Sequence, residues 1–574
     1  MKPIHVAVAS AMVVVAGCGD GSDDRGASQD TTGPALANVE QKLACSSLRG
    51  AFIPAALIGL PTKGANVSDA VDTNDVDSGG QSRTYCLVTG TILPVDSAAQ
   101  PIRFQVNLPK SWNQRVLQFG GGGLNGSVVT GTGSSSGELP STPTPLARGY
   151  ATLGSDSGHD AASNANASFA LNQEQLLNFG QHSIKKTIDV AKYLVDKMYA
   201  QKPKYTYFNG GSQGGHEAVQ AAQRYPDDYD GVIAQYPVFN VVHMWSGQNA
   251  TGKAIHSAGL GVPSPSWLSP SKVATLFNAV FAACDGLDGV TDGIVSNISA
   301  CNSAFNINTI KTTMRCAGGA DTGNTCFSDA QITAIEKISS PVTFDFAYAG
   351  GWTTFPKWNI LEGANWNASW FGASDTVTMD STTFALNGAS TPMGLSTATV
   401  RGIMTQNLAL DPFTFNPSDY KARIQQVSGW LDDVSLDYSR FAAKGGKMLM
   451  NHGTVDNSIT GVTNVENWNR LVAANGQAEM DRFARFYYIP GYGHGSGQFS
   501  ARAGWLAALE EWVEKGTAPQ RIIATDGNSA AATAATNGRT RPLCAYPSYP
   551  RYTGPANANQ AQANDAANFT CTQP

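Results

Sequence analysis

The tightest constraint in this chain is five residues long. Gly210-Gly211-Ser212-Gln213-Gly214 follows the apolar run Tyr205 to Phe208 and opens a stretch of helix formers that reaches Arg224. Strand, glycine turn and helix in that order reverse the backbone so sharply that side chains two before and two after the serine would collide. The same turn lifts the serine hydroxyl above the end of a sheet. Such a turn presupposes a parallel sheet with helices packed on it. The chain also carries a control: Gly133-Ser134-Ser135-Ser136-Gly137 has the same spacing. No strand precedes that segment and no helix follows it, so it reads as a loop.

The surrounding pattern agrees. Ile102 to Leu108 and Arg115 to Phe119 flank the turn Pro109-Lys110-Ser111-Trp112-Asn113 and read as paired strands. The second runs into Gly120-Gly121-Gly122-Gly123. An amphipathic helix is predicted from Gln173 to Ala200, ending before Pro203, and Val232-Ile233-Ala234 reads as the next buried strand. Between about 240 and 430 the rhythm breaks into a stretch rich in Asn, Ser, Thr and Trp. A structureless loop of that length is implausible, so it reads as an inserted domain. Strands then return at Lys447 to Asn451 and Phe486 to Ile489, with a helix from about Ala501 to Lys515.

Composition removes other classes. The 574 residues are 42% hydrophobic and 14% charged, which excludes a disordered chain. The net charge of −6 comes with no basic run, so no nucleic-acid partner is expected. At the start, Lys2 and the short apolar stretch Val6 to Val15 read as an export signal too short to span a bilayer. It ends in Val15-Ala16-Gly17-Cys18, which resembles a bacterial lipobox with Cys18 as the lipidated residue; a plain secretory peptide cleaved near Gly17 is the alternative. The organisation expected is a signal over 1–17, a tether over 18–38, a first catalytic-domain part over 39–240, an insertion over 241–430 and a second part over 431–574. The expected destination is the outer membrane through the lipid anchor, or the periplasm or medium without it.

Eight further cysteines in an exported chain suggest disulfides, and no C-x-x-C pair suggests zinc. Proximity in sequence favours Cys45–Cys86, Cys284–Cys301, Cys316–Cys326 and Cys544–Cys571. The last of these staples an Ala/Asn/Thr-rich tail that would otherwise read as disordered.

A serine on such a turn needs a base and an acid that follow it in the chain. Asp456 comes at the end of the strand that begins at Lys447. The single histidine downstream of it is His494, in Gly491-Tyr492-Gly493-His494-Gly495. His494 is the candidate general base and Asp456 its orienting partner. An oxyanion hole needs two backbone N–H groups. Gln213 supplies one, and Gly122 or Gly123 the other.

These blocks resemble the tannase and feruloyl esterase family over roughly residues 40 to 571. The likeness rests on Phe119-Gly120-Gly121-Gly122-Gly123, on Ser155-Asp156-Ser157-Gly158-His159, and on Tyr207 through Gly215. Arg224-Tyr225-Pro226-Asp227-Asp228-Tyr229-Asp230-Gly231, Gly445 through Asp456 and Pro490 through His494 complete it. The resemblance implies an α/β-hydrolase fold with a large inserted lid, and a serine esterase acting on small aromatic esters of the feruloyl or galloyl type; a monomer is expected. Hydrolysis of terephthalate monoesters or other synthetic esters is the second reading. A non-catalytic, ligand-binding lipoprotein is a third, disfavoured by the intact serine, aspartate and histidine. It also implies a structural calcium ion in the lid, held by side chains of Asp285, Asp288 and Asp292 and carbonyls of Val290 and Ile294. Carboxylates with intervening glycines suit such a hard cation, although the spacing is not that of an EF-hand. One departure stands out. The family places cysteines beside the serine and the histidine, where this chain has Gly211 and Gly495, so the histidine loop is expected to be more mobile than usual. Of the lid aromatics Trp245, Trp267, Trp352, Phe355, Trp358, Trp366, Trp370 and Phe371, most are expected in the core. Arg401 is expected at the surface, and His159 in a structural role.

Overall fold

The computed structural model describes residues 33–258, 263–366, 370–371, 391–528 and 538–574. The export signal, Cys18 and the first part of the tether lie outside the described residues. Ten strands make the main sheet: β1 (Phe52–Ile53), β2 (Ala65–Val76), β3 (Ser82–Ile92), β4 (Ile102–Pro109), β5 (Arg115–Phe119), β6 (Ala151–Ser155), β7 (Tyr205–Gly211), β8 (Gly231–Gln235), β9 (Lys447–Gly453) and β10 (Ala484–Ile489). Across the sheet they lie in the order β10-β9-β8-β7-β5-β6-β4-β3-β2-β1. β5 to β10 are mutually parallel, and β4, β3, β2 and β1 continue the sheet antiparallel from β6.

Consecutive residues of the parallel strands feed opposite layers, as the two-residue period of a strand requires. Val116, Phe208, Val232 and Met448 join a cluster with Ile188 and Val219 on one face. Leu117, Tyr207, Ile233 and Leu449 join Trp505 and Leu509 on the other. Helices cover both faces, which is why these strands are apolar throughout rather than alternating.

Three sequence expectations about these elements need correction. The runs at 102–108 and 115–119 are both strands, but they do not pair, because β6 lies between them. The intervening Ser111–Trp112 pairs with Val39–Glu40, and Trp112 stacks on Tyr199 at 4.6 Å. That anchor carries the chain one strand position further before β5 begins. The helix expected from Ala501 starts instead at Trp505 and ends at Lys515, since Ala501–Arg502 pairs with the strand Ile522–Asp526. The helix expected over 173–200 forms as Gln173–Leu177 and Ser183–Tyr199 around a single wide turn, with Asn172 capping its start and Ala200 in the left-handed region ending it.

Between β8 and β9 the chain builds helices including Val241–Ile255, Pro270–Cys284, Asp329–Ile338, Thr391–Thr399 and Lys421–Leu431. They enclose a third apolar cluster that contains all eight of the aromatics named above. Arg401 is a further correction of placement. It is buried, with its Nε donating to the Leu410 carbonyl, because the turn that follows Thr399 packs into this cluster.

The four disulfides are Cys45–Cys86, Cys284–Cys301, Cys316–Cys326 and Cys544–Cys571. The last closes a tail whose strands Tyr549–Tyr552 and Phe569–Thr572 pair antiparallel. Among the described residues no helix is long and apolar enough to cross a membrane.

Candidate active site

Ser212 stands at the junction of β7 and the helix Gln213–Arg224, with φ 59° and ψ −122°. A side chain at positive φ is strained and persists only where its surroundings fix it. Here Ser212 N donates to Gln235 O on β8 at 3.0 Å, and His216 N donates to Ser212 O at 3.0 Å. The flanking glycines are steric necessities. A Cβ on Gly210 would lie 2.4 Å from the Gly214 carbonyl, and one on Gly214 would lie 2.8 Å from Gly121 O and 3.0 Å from Gly120 Cα.

Those contacts fix the loop after β5 against the start of the helix. Gly214 N donates to Gly121 O at 3.0 Å. Gly121 N donates in turn to Glu217 Oε2 at 2.9 Å, and Asn125 Nδ2 to Glu217 Oε1 at 2.6 Å. Burial pushes the Glu217 carboxyl up to about 7, against the pull of these two donors. The loop then brings Gly123, at φ +60°, beside Gln213 on the wall of a cavity; Gly122 is not part of that wall.

His494 follows β10 and faces the same cavity as Ser212. Its Nδ1 lies 2.9 Å from Asp456 Oδ2. Asp456 is fully enclosed: Oδ1 accepts the N–H groups of Ser458 at 2.8 Å and Ile459 at 2.9 Å. Its Oδ2 meets a second ring, His452 Nε2, at 3.3 Å. Asn464 Nδ2 donates to His452 Nδ1 at 2.6 Å, so the His452 proton sits on Nε2, shared between Asp456 and the Ile459 carbonyl at 3.0 Å. Burial opposes the charge on Asp456, but the two histidines outweigh it and hold the carboxyl below its ordinary range. Desolvation likewise opposes protonation of His494, although its side chain keeps 29% exposure, and Asp456 beside it outweighs that, raising the imidazole above 6.5.

The cavity has a volume of about 170 Å³. Val238, Val241, Met244, Trp245, Pro392, Leu395 and Ile459 form its apolar wall, with Gln213, Gln248 and Ser458 as polar points beside Ser212 and His494. Of the eight lid aromatics, Trp245 alone lines it among the described residues. No Lys or Arg does so among the described residues. His159 is buried elsewhere, stacked on Phe169 at 3.9 Å with Nε2 2.8 Å from the Leu124 carbonyl.

In the lid, Asp285, Asp288 and Asp292 share one loop. Asp285 accepts the N–H groups of Asp292 and Gly293, each at 3.1 Å, and Asp292 Oδ2 pairs with Arg541 from the tail. Asp288 Oδ2 is buried with no hydrogen-bond partner, and burial pushes this carboxyl up to about 7. Among the described residues no three His, Cys, Asp or Glu side chains are gathered as a metal cage by themselves. The donor set nonetheless suits a hard cation that also takes main-chain carbonyls, since the unpartnered Asp288 oxygen is what such an ion would satisfy.

Sequence reasoning missed Glu217, His452 and Gln248. Glu217 had a signal, a carboxylate one turn into a helix packed on a sheet. The others owe their places to contacts between distant segments.

The chain matches the family model for tannase and feruloyl esterase over residues 86–571. It is 36% identical over 534 residues to an uncharacterized esterase of Agrobacterium fabrum, covering 92% of each chain. With mono(2-hydroxyethyl) terephthalate hydrolase of Piscinibacter sakaiensis the identity is 31% over 533 residues, covering 85% of each. Among solved structures, feruloyl esterase B from Aspergillus oryzae superposes with a TM-score of 0.71 at 23% identity, covering 90% of this chain and 98% of that one.

Proposed function

The chain belongs to the tannase and feruloyl esterase family of carboxylic ester hydrolases, and on that premise we propose that it cleaves aromatic esters of the feruloyl or galloyl type through Ser212, His494 and Asp456. The observation that carries this reading is the shared cavity. The serine on its strained turn and the histidine bonded to a buried aspartate face one apolar space.

In the proposed mechanism His494 Nε2 takes the Ser212 proton as the hydroxyl oxygen attacks the ester carbonyl. The N–H groups of Gln213 and Gly123 receive the developing oxyanion; of the two glycines considered, Gly123 is the one on the cavity wall. The alcohol leaves with the proton from His494. Water then enters, is deprotonated by the same ring and attacks the acyl carbon; the bond to Ser212 Oγ breaks, the acid leaves, and His494 returns the proton to Ser212. Asp456 keeps the Nδ1 proton in place and stabilises the imidazolium at each stage. Calcium, bound by Asp285, Asp288 and Asp292 with the carbonyls of Val290 and Ile294, would stabilise the lid and take no part in the chemistry.

The size and lining of the cavity support an aromatic acyl group. An apolar cavity of roughly 150 Å³ takes up one benzene ring, close to the size found here. The test is acid release from methyl ferulate, methyl gallate, a terephthalate monoester and a short aliphatic ester, by wild type and Ser212→Ala. Turnover is expected on one of the first two and to vanish in the variant. Turnover confined to the aliphatic ester would overturn the aromatic reading, and activity surviving in Ser212→Ala would overturn the triad.

A further inference from the structure

The space between the serine turn and the histidine loop is filled by one side chain. Tyr236 follows β8 directly, at φ 34°, with its N–H donating to Asn451 O on β9 at 2.6 Å. A non-glycine residue at positive φ is uncommon, so something specific is being positioned. The preceding residue, Gln235, is the one whose carbonyl accepts the Ser212 N–H. Backbone bonds thus fix the root of the tyrosine to the same frame as the nucleophile.

Its ring reaches the other half of the site. The centroid lies 4.7 Å from that of His494 at 52°, and 6.1 Å from that of Tyr492 in edge contact. The hydroxyl lies 3.2 Å from Ser136 Oγ. The two glycines on either side frame the ring. A Cβ on Gly211 would lie 2.7 Å from both Cζ and the hydroxyl oxygen of Tyr236, and one on Gly495 would lie 3.4 Å from that oxygen. At position 211 any side chain would therefore displace the ring, and nothing else crowds that position as closely.

We propose that Tyr236 is a positioning residue of the esterase site, its ring wedged between Gly211 and Gly495 to hold the His494 imidazole in register with Ser212. It does not line the cavity, and acts by fixing where the base sits. Gly211 is then required by the tyrosine, whereas Gly495 meets its hydroxyl at ordinary contact distance and is a glycine for its own φ of +82°. The proposal rests on the Ser212–His494 reading above.

The test combines Tyr236→Ala, Tyr236→Phe, Gly211→Ala and the double variant Gly211→Ala/Tyr236→Ala, with kcat and KM for the best ester and the rate of Ser212 labelling by a fluorophosphonate. Misplacing a catalytic group by about 1 Å costs on the order of a hundredfold. Tyr236→Ala is therefore expected to lower kcat and the labelling rate roughly ten- to a hundredfold, with KM little changed. Tyr236→Phe, which keeps the ring, should recover most of that loss. Gly211→Ala leaves the tyrosine in the chain but pushes its ring aside, so it should impair kcat alone and add nothing in the Tyr236→Ala background. Wild-type kcat in Tyr236→Ala, an equal loss in Tyr236→Phe, or additive losses in the double variant would each overturn the proposal. Should Tyr236→Ala not fold, unimpaired kcat in Gly211→Ala would overturn it on its own. These outcomes leave the triad standing, because only activity in Ser212→Ala bears on that.

Discussion

At the scale of single residues, the site turns on one carboxylate oxygen shared by two imidazoles. Asp456 Oδ2 lies 2.9 Å from His494 and 3.3 Å from His452, while its other oxygen is saturated by two main-chain N–H groups. A buried charge so thoroughly solvated by donors stays ionised, and its field favours the protonated form of His494. Because the base must be neutral to act, the labelling rate of Ser212 should fall on the acid side with a midpoint above the ordinary histidine value of 6.5. Asp456→Asn removes the charge and leaves enclosure unopposed, so the midpoint should move below 6.5, with a loss of kcat on the order of 10⁴. A midpoint that stays in place in the variant would show that Asp456 does not set the basicity of His494. The charge pattern was half legible. His494 stood out as the single histidine after Asp456, but nothing in the order of residues marked His452, whose role depends on Asn464 and Ile459 folding back onto it.

At the scale of elements, the proposed oxyanion donors depend on how closely a helix start and a glycine loop approach. Gly214 in the helix and Gly120–Gly121 after β5 touch backbone to backbone, and Glu217 on the next turn receives the Gly121 N–H. Gly214→Ala inserts a methyl group 2.8 Å from Gly121 O, and backbone, unlike a flexible side chain, cannot swing away. The loop carrying Gly123 must shift, so kcat should fall about a hundredfold or more, the usual effect of losing an oxyanion donor, while KM and far-UV dichroism change little. Unaltered kcat would mean that this loop does not carry the oxyanion donor. The same scale explains what could be read in advance. Strand Tyr205–Gly211, its turn and its helix are contiguous, so local geometry dictated them. The order of β5 and β6 was not readable, because it depends on contacts between distant segments, such as Trp112 on Tyr199, which lies 87 positions further along the chain. Tyr236 was hidden for the same reason: its neighbours at 211 and 494 belong to different strand ends.

At the scale of the whole molecule, the acidic loop of the lid is where three distant parts meet. Cys284–Cys301 ties it into the lid, and Arg541 and Arg539 from the tail reach Asp292. Ile294 packs in the cluster that holds Tyr492 and Phe499 of the histidine loop. Whether an ion sits there can be decided by the sign of one substitution. In a loop without metal, the unpartnered oxygen of Asp288 is a buried polar atom left unsatisfied. Asp288→Asn would then leave stability unchanged or raise it. With calcium bound, that oxygen is a ligand and the same change removes part of the ion's field. Bound calcium at a hundred times its dissociation constant stabilises by about 2.7 kcal/mol, so a chelator should lower the Tm of the wild type by a few degrees. Asp288→Asn should melt below the wild type in calcium, and at or above it in chelator. A wild-type Tm indifferent to chelation, or a variant that melts higher in both conditions, would remove calcium from the loop. Arg541 and the backbone donors would then be its whole electrostatic account.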